Sequence, residues 1–211
     1  MARPRLVSDE QILDATRKAV LRDGPRASLD DIAGELGVTQ PAILKRFGSR
    51  KALLVAALKP PDEPLWQAAL EALPDDRPLK DQLEGLFAHI ASILDDFIPC
   101  LAALRESGIS ENKVFEGKAG PRGAVLGFVR LVERMKTRGL VGDVDAESAG
   151  IAMLGALQLR AFYNYLLKTD PTRKAQTAQA RDLADFFTQT LGARPTKARP
   201  EIGRATCRER V

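Results

Sequence analysis

The chain contains a single histidine, His89, and only two cysteines, Cys100 and Cys207. That scarcity excludes a zinc site of the histidine- and cysteine-rich kind, which draws on several such side chains at close spacing. Also missing are a GxSxG nucleophile elbow, a GxGxxG dinucleotide loop and a GxxxxGK phosphate loop. The paired carboxylates Asp75-Asp76 and Asp95-Asp96 stand alone, as solvated faces and helix ends commonly do. The apolar runs are short and interrupted, so neither a signal peptide nor a membrane span is read. Strand-like alternation does not persist, and no internal repeat stands out. The expectation is a cytoplasmic, non-enzymatic, all-α protein with no cofactor, no metal and no membrane partner. His89, at the edge of an apolar stripe, reads as structural. Cys100, after Pro99, reads as a small buried residue in a reducing compartment.

What the chain does contain is concentrated in Ser28–Leu53, SLDDIAGELGVTQPAILKRFGSRKAL. Ser28 can cap a helix, with Asp31 three residues on as an acidic form of the capping box. Leu29, Ile32, Ala33 and Leu36 then recur at helical spacing and predict one buried stripe. Gly37 falls where a helix ends by turning left-handed, a conformation that costs glycine no steric penalty. Val38 can fill the angle between two helices. Thr39 can cap the second, and Pro41 lies in its first turn, where a missing N–H matters least. Ile43 and Phe47 return to the core, leaving Gln40, Ala42, Lys45 and Arg46 outward. The pattern is a helix-turn-helix. Before it, Ser8 and Gln11 form a capping box for a stripe of Ile12, Ala15, Thr16, Ala19 and Val20, and Gly24-Pro25 breaks the chain. After it, Ser49 can cap a fourth helix that stops at Pro60-Pro61.

The stretch from Ser8 to Leu58 resembles the DNA-binding domain of the TetR family of bacterial transcriptional regulators. The resemblance is carried by Gly24, Ser28, Ile32-Ala33, Leu36-Gly37-Val38-Thr39, Phe47, and Ser49-Arg50 with Leu53. It implies an N-terminal three-to-four-helix helix-turn-helix domain and a larger C-terminal helical domain for ligand binding and dimerisation. Three positions depart from the family pattern. Leu44 stands where a phosphate-contacting tyrosine is usual, Arg50 replaces a lysine, and Pro41 replaces a frequent glycine, which alters the bases to be read.

Charge supports the same division. Residues 1–60 hold 11 Lys/Arg and 7 Asp/Glu, a net +4, whereas residues 61–193 hold 15 and 19, a net −4. A basic end suits a polyanion, and the acidic middle does not. The expected phosphate neutralisers are Arg3, Arg5, Lys45, Arg46, Arg50 and Lys51. Residues at the start of a recognition helix lie nearest the base edges. Gln40 can pair with adenine, and Thr39 or Ala42 can meet a thymine methyl. Ser28 can present its hydroxyl and its helix N-terminus to a phosphate. Roles as plain caps stay open for Ser28 and Thr39, as does a merely solvated Gln40.

Residues 61–193 read as the second domain, with helical segments near 63–73, 79–97, 100–107, 121–138, 145–168 and 175–191. Leu83, Leu86, Phe87, Ile90, Ile93, Leu94 and Phe97 form a wide apolar stripe. Trp66, Leu70, Phe115, Phe128, Val132, Met153, Leu157 and Phe162 add bulk on other segments, and core filling accounts for most of these. The resemblance implies that part of this core is hollow and receives a small, largely hydrophobic effector. The candidate pocket comprises Trp66, Phe87, His89, Ile90, Phe97, Leu101, Arg105, Phe128, Leu157, Gln158 and Phe162, with Asn164 a further polar handle. It also implies a homodimer. Small residues at Ala149, Ala152, Gly155 and Ala156, and the face Ala180, Leu183, Ala184, Phe187 and Leu191, would form a four-helix interface. Packing of the same faces within one chain is the alternative. Two copies would address a near-palindromic double-stranded operator, and an effector would shift the head separation through Arg22–Gly24 and the 97–121 region. Residues 194–211 read as a disordered basic tail. Within it, EIGRATCRERV (201–211) resembles an in-frame translation of a sequencing adaptor, so Cys207 is set aside.

Overall fold

The computed structural model describes residues 7–59, 66–110, 120–169 and 172–193. Within them the chain is all α. The helices are α1 (Asp9–Asp23), α2 (Leu29–Leu36), α3 (Gln40–Phe47), α4 (Arg50–Leu58), α5 (Gln67–Glu71), α6 (Leu79–Glu106), α7 (Pro121–Thr137), α8 (Ala146–Leu167) and α9 (Arg173–Thr190). Arg3, Arg5, Phe115, Pro60-Pro61 and the 194–211 tail lie outside the described residues.

Local chemistry sets the helix starts. At α1 the Ser8 hydroxyl accepts the Gln11 amide at 3.2 Å, and the Gln11 side chain accepts the Ser8 amide at 2.9 Å, a reciprocal cap. Ser28, Thr39, Ser49, Asp145 and Thr172 each accept an amide from the first turn of α2, α3, α4, α8 and α9. Gly37 ends α2 with φ 67°, the left-handed turn that lets α3 cross α2.

Two hydrophobic cores result, and they do not divide at the chain's linker. The head core gathers Ile12, Val20, Leu29, Ile32, Ile43, Leu53 and Leu58, but also Cys100, Ala103 and Leu104 from the far end of α6. The body core gathers Leu83, Leu86, Phe87 and Ile90 from the near end of α6 with Phe128, Leu131, Met153, Leu157, Ala184 and Phe187. A break at Pro99 was expected; the helix runs through it. Proline removes one backbone bond and crowds the preceding turn, at a cost of about 3 kcal/mol. Burial of residues on both sides of Pro99, in two different cores, outweighs that loss. The joined α6 is also long and apolar enough, by composition, to cross a membrane. This departs from the expectation of short, interrupted runs, yet its apolar face is occupied by protein on both sides.

Packing corrects several assignments. Ala180, Ala184, Phe187 and Leu191 were expected at a dimer interface; all are 4% exposed or less, because α9 spends this stripe on α6 within the chain. Leu183 and Ala156 are half-buried against the same core, Ala152 is exposed and Gly155 is half-buried. The outer side of α8 instead shows Ile151, Leu159, Phe162, Tyr163 and Leu166, and α9 shows Phe186. Phe162 therefore faces outward at 46% exposure rather than into a pocket. Phe87 is fully buried and meets Phe187 edge to face, with centroids 5.7 Å apart.

The body is tightly closed where α7 crosses α8. A Cβ on Gly150 would come within 2.8 Å of the Val129 amide nitrogen and 3.1 Å of the Phe128 carbonyl carbon, which are backbone atoms that cannot swing away. Gly150→Ala is expected to destabilise the fold by about 1–3 kcal/mol through overpacking. Gly34→Ala, in α2 with nothing within 4 Å of the added methyl, should stabilise by up to about 1 kcal/mol through helix propensity. Denaturant midpoints of the two variants check both signs.

Candidate nucleic-acid interface and ligand chamber

The head presents α3 as a short, firmly seated rod. The Thr39 hydroxyl accepts the Ala42 amide at 3.4 Å, Pro41 occupies the first turn, and Ile43 is 1% exposed beneath them. Thr39, Pro41, Ala42, Lys45 and Arg46 are exposed and Gln40 is half-buried, so the start of α3 offers a mixed polar and methyl-bearing edge. Ser28 is exposed at the start of α2, its hydroxyl accepting the Asp31 amide at 3.2 Å. Leu44 and Phe47 turn towards the head core.

The cations assigned to phosphate differ in what they hold. Arg46 Nη1 donates to the Val7 carbonyl at 2.5 Å and to Asp9 Oδ1 at 3.3 Å, tying α3 to the start of α1. Arg50 Nη2 donates to the Pro25 and Ala27 carbonyls at 3.0 and 2.6 Å, so it closes the loop between α1 and α2. Lys51 Nζ donates to the Gly108 carbonyl at 2.8 Å, linking α4 to the end of α6. Lys45 remains on the exposed side of α3. A guanidinium spreads rigid donors over two acceptors, whereas an ammonium is a mobile point charge. That difference explains why the arginines serve as braces.

A cavity of about 290 Å³ lies between head and body. Trp66, His89, Ile90, Phe97, Phe128 and Gln158 line it, all named from the sequence. Phe87, Leu101, Arg105, Leu157 and Phe162 do not. Phe87 and Leu157 fill the body core, Leu101 and Arg105 lie on the part of α6 beyond the cavity, and Phe162 is external. Missed were Arg17 and Leu58 from the head, and Ser92, Ile93, Asp96 and Cys100 from α6. Arg17 lies one position beyond the buried stripe of α1, so periodicity carried no signal for it. Arg17 is half-buried, and donates from Nε to the Ala57 carbonyl at 3.0 Å and from Nη2 to the Lys59 carbonyl at 3.3 Å, at the end of α4. Burial pushes the Cys100 thiol above its ordinary value; Arg17 opposes that shift and Asp96 adds to it.

Ser92 and Asp96 also border a second, more polar groove, between the end of α1 and helices α6, α8 and α9. Its centre is Asp95, which accepts from Arg160 at 2.9 Å, Gln176 at 3.0 Å and Asn164 at 3.3 Å. Asn164, expected as a handle in the apolar pocket, is engaged here instead. Among the described residues no cluster of side chains could hold a metal ion.

Residues 12–57 match the family model for bacterial regulatory proteins, tetR family. The chain thus carries a head similar to the TetR-family DNA-binding domain. Its whole fold is that of solved TetR-family structures. PfmR, a TetR family transcriptional regulator from Thermus thermophilus, is 23% identical over 84% of this chain and 97% of its own, with a TM-score of 0.62. SmeT, the repressor of the Stenotrophomonas maltophilia multidrug efflux pump SmeDEF, is 18% identical over 93% and 95%, at 0.61. FadR from Bacillus subtilis, solved with stearoyl-CoA, is 14% identical over 85% and 97%, at 0.55. No curated protein matches the chain in sequence.

The brace geometry of the TetR-type head has a measurable consequence. Arg50→Ala strips two carbonyls of a charged donor and should cost about 1–3 kcal/mol. Lys45→Ala should leave stability within about 0.5 kcal/mol, as for a surface substitution. Equal losses in urea unfolding would contradict the distinction between brace and free face.

Proposed function

We propose that the chain is a transcriptional repressor that binds a near-palindromic operator as a homodimer in the cytoplasm and is released by a small, largely hydrophobic effector. The observation that carries this reading is the placement of the chamber: its wall is built partly from α1 and α4 of the DNA-binding head and partly from α6 of the body. A molecule in that space touches both parts at once. It favours whichever head position leaves room for it, and linkage then requires DNA and effector to alter each other's affinity. An architectural DNA binder without an effector would have a filled core there, so the cavity favours a ligand-responsive regulator. The stearoyl-CoA bound to the Bacillus subtilis neighbour supports an apolar ligand in a body of this fold.

In this reading α3 enters the major groove. Thr39, Gln40, Pro41 and Ala42 face base edges, while Lys45, the start of α2 at Ser28, and Arg3 and Arg5 meet phosphates. Arg46 and Arg50 contribute by holding α3 and α4 in register, with Lys51 fixing α4 to α6. Dimerisation uses the outward row Ile151, Leu159, Phe162 and Leu166 on α8 with Phe186 on α9, an exposed apolar surface of the kind that marks an interface. Gly155 lies in the same row, with open space above it. A two-fold pair would then place two copies of α3 on half-sites about 34–36 Å apart, or a multiple of that.

On operators selected from a random DNA pool, Gln40→Ala should reduce discrimination between matched and altered sites by about 1–3 kcal/mol. Lys45→Ala should weaken matched and scrambled DNA alike, and flatten the salt dependence by about one unit of slope. Fluorescence anisotropy across a salt series reads both effects; identical behaviour of the two variants would refute the division of roles. Phe162→Asp should give a monomer in sedimentation equilibrium and abolish tight operator binding. A Phe162→Asp dimer would place the interface elsewhere.

A further inference from the structure

We propose that the chamber receives a compact amphipathic carboxylate, its apolar part against Trp66, Ile93, Phe97 and Phe128 and its carboxylate on the guanidinium of Arg17. The inference rests on the regulator reading above and names the ligand class and the residue that receives it. The chamber, about 290 Å³, lies at the lower end of ligand pockets, which span about 300–1,000 Å³. It suits one short-chain molecule. Its apolar walls give affinity without direction, so orientation must come from the few polar groups that line it.

Arg17 is the best placed of these. A guanidinium carries five N–H donors in a planar fork that matches a carboxylate. Two serve the Ala57 and Lys59 carbonyls, which leaves three. Both of those partners are neutral, and Arg17 forms no ion pair among the described residues. Asp96 lines the same chamber, but it is exposed and also borders the polar groove, where water screens it. At the Cys100 thiol, on the chamber wall, the influence of Arg17 outranks that of Asp96, the largest effect there being burial. Burial dominates there, and Arg17 is the cationic group that the chamber wall offers to an anion.

The same guanidinium secures the last carbonyls of α4, the helix that follows α3 in the head. A bound carboxylate and the end of α4 then share one guanidinium. Occupancy is thereby felt in the head without passing through the body core.

Trp66 is the chain's only tryptophan and lines the chamber, so its fluorescence reports binding. The full-length protein would be titrated with decanoate, decanol and decylamine, all below micelle formation. Decanoate should bind at least about tenfold more tightly than decanol, the smallest gap expected of a charge-assisted hydrogen bond, and decylamine more weakly than either. Arg17→Gln should bring decanoate and decanol to within about twofold of each other. Arg17→Lys, which keeps the charge and loses the fork, should narrow the gap. No response to decanoate, equal or tighter binding of decanol or decylamine to the wild type, or full preference retained by both variants overturns the inference. Should Arg17→Gln fail to fold, the wild-type ranking and Arg17→Lys still decide it. Operator binding is followed in parallel: its absence sinks the regulator reading, whereas intact DNA binding without a carboxylate preference sinks only this inference.

Discussion

One helix belongs to two cores, and most of what this protein can do depends on that. The near half of α6 is packed in the body by Leu83, Leu86, Phe87 and Ile90; its far end is packed in the head by Cys100, Ala103 and Leu104. Neither core is complete without it. A close-packed interior transmits displacement rather than absorbing it, so a shift of α6 relative to the body carries the head along. Lys51, bonded to the carbonyl of Gly108 just past the end of α6, adds a polar tie where the apolar one ends. The tight crossing of α7 and α8 at Gly150 gives the body a stiff frame to move against.

The chamber takes its meaning from this arrangement. It runs along the middle of α6, from His89 to Cys100, and its lining includes Arg17 and Leu58 of the head. A cavity enclosed entirely within the body could be filled without consequence for α3. Part of the lining here belongs instead to the head, at Arg17 of α1 and Leu58 of α4. Elsewhere in the head Arg46, Arg50 and Lys51 hold carbonyls, while Lys45 stays on the exposed side of α3. Braced and unbraced cations are thus told apart among residues that composition alone would count together.

Much of the head was legible in the sequence. The caps at Ser8, Ser28, Thr39 and Ser49, the left-handed Gly37 and the inward Ile43 all follow from chemistry within one or two helical turns, and each stands as read. The all-α class and the second helical domain were legible for the same reason. Pro99 misled because its local penalty is real, while the burial that overrides it comes from residues far apart in sequence. The α9 stripe misled because periodicity identifies an apolar face and says nothing of its partner: Ala184 and Phe187 meet α6 of their own chain. Asn164 was read as a pocket group, yet it is drawn to Asp95, 69 positions away.

The amino-acid order by itself determined the caps of the head helices, the turn at Gly37 and which face of α3 is buried, because these rest on contacts spanning three or four residues. Tertiary structure alone decided that α6 is continuous, which apolar faces are used up inside the protomer, and that an arginine of the first helix stands in the wall of a cavity bordered by the sixth. Those outcomes depend on which surfaces meet, and periodicity along a single helix carries no record of its neighbour.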